Sequence, residues 1–329
     1  METLVWEGRP VLRRPLLVTA FEGWNDAGDA ASMALSYLVD AWGAQRFATV
    51  DPEEFFDFTD SRPHTRIAEG LARTIEWPAV DVLHAKIPGA DRDVIFVRGV
   101  EPQLRWRTFC AAIVDVAGWA GAELAVSLGA LLADVPHTRP VRVTGTTDDP
   151  GLSARLGLVR SNYEGPTGIV GVLASACAGA GIPSASFWAA VPHYVHQVPS
   201  PKAALALVRA SAAVLGARVD PLALQVAAEE YERQVSERVA DDEDAAAYVA
   251  HLEEADDSSG GAGAFGGAGG AGAFGGAGGA GAFGGAGREG GAAGAGGVEA
   301  GRPAGLGGLD PEGLAAQVER YLRDHRADG

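Results

Sequence analysis

Trp24, Asn25, Asp26 and Asp29 place an indole, an amide and two carboxylates within six residues. A carboxylate in such a setting is suited to acid or base work, and an indole to stacking on a ring or a cation. The segment Phe21-Glu22-Gly23-Trp24-Asn25-Asp26-Ala27-Gly28-Asp29-Ala30-Ala31 follows the apolar run Leu16 to Ala20, which reads as a buried strand. It leads into Ala30 to Leu38, which reads as a helix. Open α/β sheets bind ligands at such strand-to-helix turns. The turn lacks G-x-G-x-x-G and G-x-x-x-x-G-K-[ST], so no familiar phosphate cradle is present. Asp26 and Asp29 also admit a structural reading: Asp26 as helix N-cap and Asp29 in the first turn. Carboxylates there stabilise the helix and repel phosphate.

Other polar loops follow expected strands. They carry Glu101 and Arg105 after Val94 to Val97, His137 after Leu124 to Leu128, Thr146 after Val141 to Thr144, and His193 after Ser186 to Ala190. Glu164 precedes a helix expected from Thr167 to Ala178. If all these loops leave the carboxyl edge of a parallel sheet, Trp24, Asn25, Asp26, Glu101, Arg105, His137, Thr146, Glu164 and His193 share one crevice. There Asp26 or Glu101 would be acid or base, Arg105 would hold an anion, and Trp24 would stack. Each also has a structural reading: Glu101 and Arg105 as an i, i+4 pair, the histidines bonding backbone, and Glu164 capping its helix. No G-x-S-x-G, H-E-x-x-H or paired C-x-x-C occurs, so no nucleophile elbow or zinc signature is available, and no metal or cofactor is expected.

The elements that must position these loops alternate in type. Further strands are expected at Phe47 to Val50 and Val82 to Ile87, and further helices at Ala30 to Ala41, Leu104 to Ala117 and Pro201 to Leu215. Alternation of this kind predicts an α/β fold, a three-layer α/β/α sandwich with a largely parallel sheet. The chain of 329 residues, 47% hydrophobic, is long enough for one large core domain. Its formal net charge of -17 argues against nucleic acid or an anionic membrane as partner. Cys110 and Cys177 fall in apolar helical patterns and read as small core residues in a reducing compartment. No basic, apolar leader or membrane span is apparent, so a cytoplasmic location is expected.

Four parts follow from composition: an α/β core over 1–220, an acidic helical extension over 221–257, a Gly/Ala-rich linker over 258–308 and an amphipathic helix over 309–329. In the extension, Asp241-Asp242-Glu243-Asp244 is expected to interrupt the helical pattern as a solvated acidic run. The linker repeats Gly-Gly-Ala-Gly-Ala-Phe-Gly-Gly-Ala three times, which places Phe265, Phe274 and Phe283. Glycine at this density predicts a flexible tether, about 50 residues with a mean reach of roughly 40 Å. The last part opens with Asp310-Pro311-Glu312 and puts Leu314, Val318, Tyr321 and Leu322 on one face. That face needs a groove, on its own molecule first and on a partner second.

Taken in order, these blocks resemble the proteasome assembly chaperone family, in its type-two branch as found in actinobacteria. The resembling residues are Phe21 to Ala31, Gly99 to Pro102 with Arg105 to Phe109, Gly129 to Pro140, Val143 to Thr147, Tyr163 to Gly168, Ala189 to Tyr194 and Pro201 to Ala203. The resemblance spans about Leu4 to Leu252. It implies an α/β/α fold like nucleoside phosphorylases and peptidyl hydrolases, homo-oligomerisation, and protein partners such as proteasome subunits, because eukaryotic relatives assist assembly of the proteasome α-ring. Some prokaryotic relatives have been labelled ATP-grasp-like ligases; this sequence offers no matching nucleotide loop. The family's chaperones typically end in a hydrophobic-Tyr-any tripeptide, whereas this chain ends Arg326-Ala327-Asp328-Gly329, and Tyr321 lies too far inside to substitute. The expected function is a non-enzymatic protein-binding module. The alternative is an enzyme or small-ligand binder with a phosphorylase-like crevice.

Overall fold

The computed structural model describes residues 3–67, 73–161 and 163–258. The expectations for the Gly/Ala repeat and for Leu314, Val318, Tyr321 and Leu322 lie outside the described residues. Strands are β1 (Leu4–Trp6), β2 (Leu16–Glu22), β3 (Gln45–Val50), β4 (His64–Ile67), β5 (Arg73–Glu76), β6 (Val80–Lys86), β7 (Asp93–Val100), β8 (Ala125–Ala133), β9 (Val143–Thr146) and β10 (Ser184–Pro192). Helices are α1 (Ala30–Ala41), α2 (Trp106–Ala120), α3 (Pro150–Leu156), α4 (Ile169–Gly179), α5 (Pro201–Leu215), α6 (Leu222–Ala240) and α7 (Glu243–Ser258).

Eight strands form one sheet in the order β1-β3-β6-β7-β2-β8-β10-β9. The centre is parallel: β2 pairs with β7 and β8, and β10 with β8. Both flanks are antiparallel. The central strands are buried on both faces, so they read as unbroken apolar runs, as in Leu16–Phe21. Alternate side chains feed two cores. Leu16, Val18 and Ala20 face α1 and α5. Leu17 and Phe21 face α2 and α4 with Phe109, Ile113 and Leu173. This is an α/β sandwich with helices on both faces of the sheet, extended by α6 and α7.

The extension packs on the core through Tyr231 and Val235 of α6 and Val249 and Leu252 of α7, which meet Tyr194, Val195 and Val198. The acidic run breaks α6 from α7 at Asp241 and Asp242. Asp242 Oδ1 accepts from Asp244 N at 3.1 Å and Ala245 N at 3.2 Å and so starts α7. Outside the sheet, β4 and β5 form an exposed antiparallel pair. Among the described residues no helix is long and apolar enough to cross a membrane.

Gly99, the last residue but one of β7, has φ +156°, and a Cβ there would stand 2.1 Å from Ala79 O and 2.8 Å from Val80 Cα. The backbone of the neighbouring strand occupies the space, and backbone cannot yield as a flexible side chain does. Gly99→Ala is therefore expected to cost about 3 kcal/mol or more. Urea unfolding followed by circular dichroism measures it; a loss below about 1 kcal/mol would show that β6 and β7 can part locally.

Candidate functional site

β7, β2, β8 and β10 run the same way, so their following loops leave one edge of the sheet. The loop after β2 closes that edge. β2 pairs with β8 through Thr19↔Ser127, then separates from it while Ala20 to Glu22 stay on β7. The chain returns at Asp26, which bridges Ala130, and Ala130 N donates to Asn25 O at 2.8 Å. Gly23 at φ +118° makes this excursion possible.

Asn25 and Asp26 are both buried, and although they are neighbours in the chain their side chains serve opposite layers. Asn25 Nδ2 donates to Glu101 Oε1 at 2.9 Å, and the same oxygen accepts from Ile169 N at 2.7 Å. Glu101 thus caps α4, whose N-cap residue, Gly168, has no side chain of its own to do so. A Cβ on Gly168 would lie 2.2 Å from Asn25 Nδ2, so the close approach requires glycine. On the other layer Asp26 Oδ1 accepts from Ala31 N at 2.7 Å and Ser32 N at 3.2 Å, at the start of α1. A 3-10 turn over Ala27–Asp29 intervenes. Asp29, at φ +49°, takes the N-cap position without a side-chain cap bond. Asp26 therefore caps from a distance, and Asp29 is not in the first helical turn.

Two helix N-termini that could receive an anion are thus each filled by a carboxylate of the chain. Asp26 Oδ2 is buried with no hydrogen-bond partner among the described residues. Burial pushes the Asp26 carboxyl up to about 7, with the Asp29 charge adding to the rise against the amide bonds. Burial likewise raises Asp29 and Glu22, the latter also through the Asp29 charge and against Arg98.

The other expected site residues separate. Arg105, at φ +53°, pairs with Glu54 after β3, not with Glu101, and the two do not share a helix because α2 begins at Trp106. Trp24 points outward, 66% exposed. Glu164 lies in an exposed loop, and the α4 amide it was expected to cap belongs to Glu101. Thr146 sits at the opposite edge: β9 is antiparallel to β10 and sets Thr146 against Ser186, near the start of that strand. The reason is length. A parallel return needs a crossover of a dozen or more residues, and only residues 134–142 join β8 to β9.

His137 and His193 lie at the expected edge but beneath the helical extension. His137 is buried; its Nδ1 and N both meet Tyr194 Oη at 2.8 Å, and Nε2 meets Ser236 Oγ at 2.9 Å. Burial, helped by Lys202, holds its ring down at about 4, so it stays neutral. His193 Nδ1 lies 3.1 Å from Asp134 Oδ1, off the hydrogen-bonding angle, and its ring packs edge-on against Tyr194 and Tyr248. Sequence reasoning missed Lys202, which joins His137 O and Glu232, each at 2.5 Å. The readable signal was a cation in the first turn of α5, where the helix dipole disfavours one. Cys110 and Cys177 are buried, and burial raises their thiols to about 12 and 11, as suits inert core residues. Among the described residues no group of three or more His, Cys, Asp or Glu is placed to hold a metal ion.

Two outcomes test this geometry. Glu101→Ala orphans the buried Ile169 N–H and the Asn25 amide and should cost roughly 1–3 kcal/mol, whereas Glu101→Gln keeps an acceptor and loses less. Asp26 titrates higher folded than unfolded, so the folded state binds the extra proton between about pH 4 and 7 and stability falls as pH rises through that window. Asp26→Asn, which keeps an acceptor for Ala31 N, should gain on the parent protein over the same window, by roughly 2–4 kcal/mol at pH 8. Urea melts of both proteins from pH 4 to 8 measure the difference, and a flat difference would refute the raised carboxyl.

The PAC2 family model matches residues 20–239. The structure of a PAC2 family protein from Streptomyces avermitilis is similar at 47% identity and a TM-score of 0.68, over 71% of this chain and 99% of that one. A proteasome-assembly chaperone homologue from Mycobacterium tuberculosis is similar at 47% identity and a TM-score of 0.66, over the same shares. An archaeal proteasome activator from Pyrococcus furiosus shares the fold at 19% identity and a TM-score of 0.58, over 71% of this chain and 97% of that one. No curated protein matches the chain. With more than half of its length matched, and with strands and helices that follow solved relatives, the chain belongs to the PAC2 family.

Proposed function

We propose that this protein is a cytoplasmic, oligomeric protein-binding module that assists assembly of a proteasome-type ring, with no catalytic step of its own. The observation that carries the reading is the state of the carboxyl edge. Asn25, Glu101 and Asp26 Oδ1 bond within the chain, while the rim presents apolar side chains to solvent. Trp24 is 66% exposed, Leu104 47% and Tyr163 44%. Trp24 and Leu104 stand on two loops that meet at Glu101, since Gly23 next to Trp24 lies against Glu101 Cβ and Leu104 follows Glu101; Tyr163 stands on the loop that leads into α4. Large apolar and aromatic groups around a closed polar centre suit a protein surface better than a small ligand. The family and the chaperone homologue among its structural neighbours support the same partner class.

The small-ligand reading needed Asp26, Glu101 and Arg105 around one substrate. Asp26 serves α1, Glu101 serves α4, and Arg105 is engaged by Glu54. An acid or base without an anion holder, on a loop stitched into the sheet, gives that reading little support.

The test is capture of recombinant proteasome α-subunits by the tagged full-length protein, read by native mass spectrometry. Trp24→Ala with Leu104→Ala should weaken capture about tenfold or more, as loss of central aromatic and apolar contacts does at interfaces. Glu101→Gln should leave it within about twofold, because that carboxylate faces inward. Capture insensitive to the apolar pair, or absent from the parent protein, would overturn the proposal.

A further inference from the structure

α7 is attached to the core through few buried side chains. Only Val249 and Leu252 of its 16 residues are buried. Tyr248 adds edge-on ring packing against His193 and Tyr194, and the ionic part of the helix's hold lies at its C-terminal end. Arg139 reaches Asp257 with paired bonds of 2.9 Å and Glu253 at 3.3 Å, and Arg142 pairs with Asp256. Thr138 Oγ1 donates to Glu253. Arg139 is 31% exposed and Arg142 42%, so these pairs are partly solvated and contribute more to fit than to net hold. Near Arg139, Arg142 and Asp256 a small cavity leaves room for about one water, so the helix is not packed flush there.

The surface beneath α7 has its own character. Tyr194, Tyr231 and Val235 make an apolar floor. Arg139 and Arg142 stand at one end, in a chain of net charge -17. Two arginines converging on one helix are a local exception in so acidic a protein. They are matched to carboxylates at spacings i, i+3 and i+4 behind an apolar pair. α7 is therefore both lid and template: it shows what sequence fits the cradle.

We infer that this cradle is a second protein-interaction surface, distinct from the Trp24 rim, whose partner is an acidic amphipathic helix and whose occupant in the free protein is the chain's own α7. An incoming helix with the same pattern, two apolar residues three apart followed by carboxylates that meet Arg139 and Arg142, replaces α7 and frees it. α6 stays in place through Leu224, Ala228, Tyr231 and Val235. The hinge is the two residues Asp241 and Asp242. Asp242 keeps capping α7 in either state, so α7 leaves as an intact unit. This inference does not require the proteasome reading and names no surface used in it.

The test uses the full-length protein and a fluorescent peptide of residues 243–258 as probe. In the parent protein α7 competes from the same chain at an effective concentration on the order of millimolar. A variant carrying Glu253→Lys, Asp256→Lys and Asp257→Lys repels its own cradle and should bind the peptide about tenfold or more tighter than the parent. Adding Arg139→Glu and Arg142→Glu to that variant should abolish binding, and about 1 M salt, where the screening length falls to about 3 Å, should weaken it. Equal binding by parent and variant, or binding that survives reversal of the cradle, overturns the inference. Hydrogen exchange on the unsubstituted protein decides the case should the variant not fold. Amides of α7 are expected to exchange well ahead of those of α5, and faster still in 1 M salt. Exchange of α7 only with global unfolding would overturn the inference as surely.

Discussion

The return of the chain to the sheet at Asn25 and Asp26 is the constraint on which the carboxyl edge depends. These two consecutive side chains enter opposite layers, Asn25 toward Glu101 and Asp26 toward the start of α1. Pairing with Ala130 fixes their backbone in the sheet. One side chain reaches the layer of α4, through Glu101, and the other reaches α1. Each helix starts with amides that lack intrahelical partners. At α4 the residue in the N-cap position is glycine, and at α1 it is an aspartate whose carboxylate makes no cap bond. The sheet edge supplies the missing acceptors instead. A single register couples strand pairing, helix capping and closure of the crevice, so a change at any one is felt at the other two.

The same device has a cost. Asp26 brings a charge into a site 94% removed from solvent by exposed area, at 6% exposure, and one of its oxygens is unbonded. Two amide bonds and the positive end of α1 offset part of the desolvation. Burial still dominates, which is why its carboxyl moves up and not down. Asp29 is held left-handed at +49° beside it, and Arg105 left-handed at +53° on the neighbouring loop. Strain of this kind survives only where surroundings over-determine it. Here the surroundings are the stitched loop and the two capped helices.

Much of the fold was legible in the sequence because long elements bury continuous faces. Ala30 to Ala41 and Pro201 to Leu215 are helices over the expected residues, and the strands from Leu16, Val94 and Leu124 onwards lie side by side at the centre. The elements not anticipated are short or exposed. β4 and β5 have four residues each and little apolar content to reveal them. α3 is seven residues long, although its signals were present: Asp149 caps Leu152 N, and Pro150 takes the first position. The site was less legible than the fold. Residue type identified groups able to do chemistry, but partner choice depends on which layer a side chain enters, a property of register. Asn25 and Glu101 meet; Asp26 and Arg105 turn elsewhere. Thr146 fell at the wrong edge although the nine-residue connection before β9 was too short for a parallel return, and connection length was the signal to use.

Carboxylates on this molecule do three kinds of work, and the differences follow from solvent. Where water is excluded, as at Asp26, the charge itself is strained and the group serves its helix by geometry. Where water is partly present, as at Glu101, the carboxylate joins two loops by accepting from both. Where water is abundant, as at Asp257, ion pairs are weak in net terms but selective, since a like charge there would be repelled. Selectivity without strong hold is what an exchangeable contact requires, and tight hold without access is what a structural cap requires. The closed half of the carboxyl edge and the latched half under α7 are thus opposite solutions to one problem: how an acidic chain covers the end of its sheet where helix N-termini and loop cations would otherwise collect anions. One half fills its anion positions permanently from within the core. The other fills them with a helix that solvent can reach, and a contact open to solvent is open to competition.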